Sequence, residues 1–189
     1  LIAFGCLAGG QFMLNIASPE GFQLFILISI FVSIAVIPIL ISVNRAPVFE
    51  TNESVSIIQL IKVSPLGVLG TFASGIGAGA IMGMGAVYAS SIGLSTKEIS
   101  FFMGSLIIGG GFMQYPIGRL SDIFGRRKVI IMTCFVGAVA SLGTIMSDAS
   151  GLLIYLQIAV IGGLSLPLYP LCTTHTNDYL TPSQRVAAS

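Results

Sequence analysis

Charge is what this sequence has least of. Only 8% of its 189 residues are Asp, Glu, Lys or Arg, against about 25% in an ordinary soluble domain. A soluble fold of this size needs more polar surface than that, so the composition excludes a conventional soluble globule and points to a chain solvated by lipid. A net charge of +1 lacks the basic footprint with which proteins hold nucleic acid. Cysteine is also sparse: Cys6, Cys134 and Cys172 are far apart, each in an apolar run. No metal-ligand or redox spacing contains them, and they read as small apolar packing residues. No cofactor or metal is therefore expected. A nucleophile–base pair or a phosphate loop in polar surroundings is missing too, which argues against an enzyme. Gly75-Ile76-Gly77-Ala78-Gly79-Ala80 loosely fits a dinucleotide fingerprint. It lies mid-way through an uncharged stretch with no strand before it, so that reading is rejected.

What the sequence does have is long apolar runs. Apolar residues make up 54% of the chain, and the mean hydropathy is +0.99. Residues 1–17 are uncharged and read as the remnant of a first helix. Ser18-Pro19-Glu20-Gly21 is a turn. Residues 22–43 carry no charge and match the roughly 20 residues that span a bilayer; Pro38 is expected to kink this helix or mark its exit. Residues 44–63 form a polar connection ending in a short amphipathic piece, with Ile57, Ile58, Leu60 and Ile61 beside Gln59 and Lys62, suited to the membrane surface. Residues 66–94 form the next span. Gly75, Gly79 and Gly83 recur every four residues and predict one face open to a neighbouring helix. Ser95-Thr96-Lys97-Glu98 reads as a capping box, starting a helix that runs to about Ile117. Further spans are expected over 129–146 and from Leu152 to about Cys172, and the tail from Thr173 leads toward another helix. Leu1 lies inside an apolar run, and Ser189 falls where a new segment is expected to begin, so both ends read as truncations.

Gly118 to Lys128 is a polar island holding four of the eight Lys and Arg residues, and it predicts a tight turn between two membrane helices. With the spans alternating in direction, one membrane face receives Arg45, Lys62, Arg119, Arg126, Arg127, Lys128 and Arg185, and the other only Lys97. That asymmetry puts the island on the cytoplasmic side.

Within the island, Gly118, Asp122, Gly125, Arg126 and Arg127 fit the pattern GxxxDxxGRR, and Lys128 follows. Flanked by apolar spans, this closely resembles the signature loop of the major facilitator superfamily. Pro167-Leu168-Tyr169-Pro170, followed by His175-Thr176-Asn177-Asp178, further resembles a YcaD-like branch of bacterial transporters. The resemblance implies an all-α polytopic membrane helical bundle of twelve helices in two halves built from inverted repeats, here about six of the twelve. Four spans precede the loop, and the amphipathic connection lies two spans before it. The loop is therefore taken as that between helices 8 and 9, and the chain as helices 5–10 with the approach to helix 11. Residues 1–43 then end the N-terminal half, 44–63 are the cytoplasmic central linker, and 64–189 belong to the C-terminal half.

The function implied is secondary active transport of a small solute by alternating access, in a protein that is monomeric when full length, sits in the lipid bilayer of a bacterial inner membrane, and keeps loop 118–128 cytoplasmic. Proton coupling, substrate and direction stay open. The alternative is a transporter-like receptor or scaffold without transport activity. The motif implies a conformational latch at Gly118, Asp122, Gly125, Arg126 and Arg127. Gly118 is expected to allow close packing, Gly125 to take a positive φ, and Asp122 to cap the next helix or pair with Arg126. The competing reading is that these residues only fix topology. No charged side chain lies deep in any span, so no coupling acid is expected here. Polar candidates for a cavity or gate are Gln11, Asn15, Gln114, Tyr115, Tyr155, Gln157 and Tyr169, with helix–helix hydrogen bonding as the competing role. Pro167 and Pro170 are candidate gate kinks. His175, the one histidine, is expected at the cytoplasmic mouth near Asn177 and Asp178, as a pH-sensing pair or simply a polar helix end.

Overall fold

The computed structural model describes residues 9–15, 21–41, 56–146 and 151–180. A 3₁₀ turn, Met13–Asn15, is followed by seven α-helices: α1 (Gln23–Ile41), α2 (Ile57–Val63), α3 (Pro65–Ser91), α4 (Thr96–Phe124), α5 (Arg126–Ile145), α6 (Leu152–Ser165) and α7 (Leu168–Asn177). Every regular element among the described residues is helical, the only open-ended way to satisfy a backbone inside lipid. The remainder of the first expected helix, the polar connection from 42 to 55 and the tail from 181 lie outside the described residues.

Local chemistry accounts for the helix starts. Ser56 N–H donates to Gln59 Oε1 at 3.2 Å ahead of α2. Pro65 opens α3, where its missing N–H is no loss. The expected box at Ser95 forms: Ser95 N–H donates to Glu98 Oε2 at 2.8 Å, and Glu98 N–H donates back to Ser95 Oγ at 3.5 Å. The Glu98 carboxyl lies at the polar end of α4, before the apolar run. The Ser95 hydroxyl and backbone N–H hold its pKa below the ordinary carboxylate range.

Three packing clusters stack along the helices. At one end Ala89, Phe102 and Met103 meet Ile154 and Tyr155, joining the end of α3 to the starts of α4 and α6. Leu106 and Ile107 form the middle with Ile81 and Ile158. At the other end Ile117, Val129, Ile130, Leu171 and Cys172 meet Leu66, joining the start of α3, the α4–α5 junction and α7. Of the six described Lys and Arg residues, Lys97 alone belongs to the first end; Lys62, Arg119, Arg126, Arg127 and Lys128 belong to the second.

Pro65–Ser91, Arg126–Thr144 and Leu152–Asn177 are long and apolar enough to cross a membrane. At 29 residues, α4 is longer than any of them, roughly 44 Å. It packs on α3, α5, α6 and the 3₁₀ turn and buries ten residues.

At Gly75, Gly79 and Gly83 an added Cβ would meet nothing within 4 Å among the described residues, so that face stands open there. The close helix crossing among the described residues is between α4 and α6. A Cβ on Gly109 would strike the backbone of Ala159, and one on Gly162 the backbone of Leu106. Spacing by four shows only that glycines share a face; it does not say which face meets a neighbour. The last expected span is also divided. α6 ends at Ser165 and α7 begins at Leu168, with Pro167 at its N-cap. Pro170 falls in the first turn of α7, where a proline removes no helical bond. This stretch continues to Asn177, five residues beyond the expected end.

Candidate functional site

The polar island is mostly helix. α4 runs through Gly118 to Phe124, and α5 starts at Arg126, so Gly125 alone makes the turn. Its φ is +88°, a conformation glycine adopts without the strain a Cβ imposes. Its N–H donates to Ser121 O at 3.1 Å. The expected positive φ is therefore present. A Cβ on Gly118 would meet nothing within 4 Å among the described residues. Asp122 pairs with Arg126 at 3.9 Å, and the start of α5 has no side-chain cap.

A second acid completes the cluster. Arg126 Nε lies 2.7 Å from Asp178 Oδ2, the short distance of a charge-assisted hydrogen bond. Asp178 closes α7 as its C-cap residue. α7 is held there by α3: a Cβ on Gly67 would strike the Thr176 hydroxyl, and one on Gly70 would lie 2.6 Å from Cys172 Sγ. The two ion pairs differ in weight. The Asp122 side chain is 72% exposed and distant, whereas Arg126 is 25% exposed and its partner Asp178 46%. Exposed pairs contribute about 0.2–1 kcal/mol, so the Arg126–Asp178 link dominates. Asp178 is the residue that sequence reasoning undervalued, grouping it with His175. His175 packs edge-on against Tyr179, ring centroids 5.3 Å apart. The one signal in the sequence was an acid predicted at the same membrane face as the basic island.

Beside this cluster is a cleft of about 280 Å³ between α4 and the α6–α7 stretch, lined by Gln114, Gly118, Asp122, Arg126, Pro167 and Pro170 among others. Gln114 Oε1 is buried without a hydrogen-bond partner among the described residues. Three of the cavity or gate candidates thus converge on the motif, and the rest lie elsewhere. The Tyr115 hydroxyl accepts from Arg119 at 3.4 Å on an exposed surface. Tyr169 is half exposed. Gln157 lines a shallow groove between α5 and α6 with Ala140, Gly143 and Thr144. Tyr155 belongs to the packing cluster at the opposite end. Gln11 and Asn15 also lie at that end, against Ser100. Arg127 is exposed at the start of α5.

Comparison with known proteins agrees with this geometry. A family model described as Major Facilitator Superfamily matches residues 67–189, which include the island, the cleft and Asp178. A protein of Escherichia fergusonii named an uncharacterized MFS-type transporter, YcaD, is 27% identical over 180 residues. The protein of the same name from Escherichia coli O9:H4 is 28% identical over 180 residues. In each case the alignment covers 94% of this chain but 46% of the relative, so the chain spans about half the length of these relatives. No solved structure matches it.

Proposed function

Because this chain belongs to the major facilitator superfamily, we propose that the protein carrying it moves a small solute across a membrane by alternating access. The observation that carries the mechanism is the arginine shared between Asp122 and Asp178. Arg126 ties the α4–α5 junction to the end of α7, and a cycle that moves α7 relative to α4 must break the shorter of its two pairs. The cluster is then a latch for one state, with Arg126–Asp178 as the bond that opens and Asp122 as the acid that keeps the arginine oriented. The cleft lined by Gln114, Pro167 and Pro170 adjoins it, so bending at Pro167 would change the cleft and the latch together.

The domain reading follows from the same premise: residues 1–43 end the N-terminal half, 44–63 form the central linker, and 64–189 belong to the C-terminal half. The five basic residues at the latch end support a cytoplasmic position for it, in a bacterial inner membrane, with the full-length protein monomeric. The printed names of the relatives supply no substrate. The described spans bury no Asp, Glu, Lys or Arg, which supports placing any proton-coupling acid elsewhere. The test is solute uptake or efflux by the full-length protein in proteoliposomes, with and without a proton gradient, for the parent and Asp178→Asn. Gradient-dependent flux that falls in the variant is the expected result. Absence of flux for every solute class, from protein that reaches the membrane, would favour a receptor or scaffold.

A further inference from the structure

α4 is held by polar contacts at both ends, and only one of them belongs to the signature loop. At the Lys97 end, Ser100 is fully buried. Its hydroxyl donates to the backbone carbonyl of Gln11 and accepts from Asn15 Nδ2 at 3.1 Å. The second proton of that amide goes to Phe12 O at 3.3 Å. Phe12 closes the junction. Its ring meets Phe101 edge-on at 5.4 Å and lies 3.2 Å from where a Cβ on Gly104 would stand. From Ser100 to Asp122 is 22 residues along one helix, roughly 33 Å, close to the thickness of the hydrocarbon core. The two polar junctions therefore sit at opposite membrane interfaces, and they fasten α4 to different parts of the chain.

The Ser100 junction is not a fully satisfied packing contact. Asn15 Oδ1 is buried and has no hydrogen-bond partner among the described residues. An amide oxygen left unpaired disfavours the closed arrangement, and water that reaches it relieves the cost. The bonds that hold the junction shut are neutral ones, each worth only about 1 kcal/mol net.

We propose that Gln11, Asn15 and Ser100 form a clasp that closes the Lys97 face, and that it opens in turn with the Arg126–Asp178 pair at the opposite face. The proposal rests on the alternating-access reading above. It assigns Gln11 and Asn15 to the gate, away from the solute cavity.

The test uses the full-length protein with its cysteines replaced and one reporter, Met103→Cys, placed on a buried residue of the cluster beside Ser100. A membrane-impermeant maleimide is applied from the Lys97 face in oriented vesicles, without solute. Ser100→Ala should raise the labelling rate about fivefold, the equivalent of one lost hydrogen bond. Asn15→Ala, which leaves the buried serine in place but removes the unpaired oxygen together with the amide donor, should raise it by less than Ser100→Ala. Adding Asp178→Asn to either should lower it again, because releasing the other end favours the oppositely open state. Unchanged labelling in both single variants, at parental levels in the membrane, would overturn the clasp. So would an increase that Asp178→Asn leaves untouched. Labelling needs no solute, so a protein without measurable uptake but with these responses would count against the transport reading alone.

Discussion

Arg126 Nε and Asp178 Oδ2 lie 2.7 Å apart, although 52 positions separate the two residues in the chain. This pair joins the one-residue turn at Gly125 to the last turn of α7. It changes the weighting of the signature loop, because the acid inside the motif, Asp122, stands 3.9 Å from the same guanidinium and is largely exposed.

Asp178→Asn should therefore reduce solute flux more than Asp122→Asn. A half-exposed pair at this distance is worth about 1 kcal/mol, or roughly a fivefold shift between states. Both variants should reach the membrane in parental amounts. The charge swap Arg126→Asp with Asp178→Arg should recover part of the lost flux. Equal losses in the two single variants, measured side by side in proteoliposomes, would return the main role to Asp122.

The two motif glycines should respond in opposite ways. Gly125→Ala puts a side chain at φ +88°, a strain of about 1–3 kcal/mol, and should lower the thermal midpoint in detergent. Gly118→Ala adds a methyl into open space and should leave the midpoint near the parent value. A midpoint drop for Gly118→Ala as large as for Gly125→Ala would contradict the one-residue turn.

The α4–α6 crossing makes a further contrast. Gly109→Ala and Gly162→Ala drive a methyl into the facing backbone and should each cost about 1–3 kcal/mol through forced separation of the helices. Gly143→Ala, where a Cβ meets nothing within 4 Å, serves as the control. Comparable thermal midpoints for all three would show that the crossing is looser than described.

The capping box at the start of α4 predicts a pH dependence. The Glu98 pKa is lowered from its ordinary value of 4.5, first by the Ser95 hydroxyl and then by the Ser95 backbone N–H. The folded form thus holds the carboxylate more strongly than the unfolded one. Its contribution is complete above the ordinary value, and is lost as pH falls from there through the lowered folded value. Glu98→Gln should lower the thermal midpoint slightly at neutral pH, where the carboxylate's contribution is complete, and should converge with the parent below the lowered value, where the parent has lost that contribution. An identical acid limb in parent and variant would remove Glu98 from the account.

Class, spans, cap and family were legible because each depends on neighbours in the chain. Absence of charge and long apolar runs require lipid, Ser95 and Glu98 are three residues apart, and the motif residues are contiguous. The extent of α4 was less legible. The polar residues from Gly118 to Phe124 suggested a loop, yet an exposed helix end accepts them, and only Gly125 must break the helix. The gate candidates were separable only by position. Gln114 and Pro167 reach the cleft, Tyr115 reaches Arg119 at the surface, and nothing in their residue types distinguishes them.

The sequence by itself determined that this chain is an all-α membrane bundle, that its basic residues gather at one end, and which family its turn belongs to, because hydropathy, charge and turn chemistry act locally. Only the tertiary structure decided that Arg126 meets Asp178, that Gly109 and Gly162 are where two helices touch, and that Ser100 holds Asn15. Those contacts depend on how the helices rotate and cross. That arrangement is set by side chains far apart in the chain, through packing that no local pattern encodes.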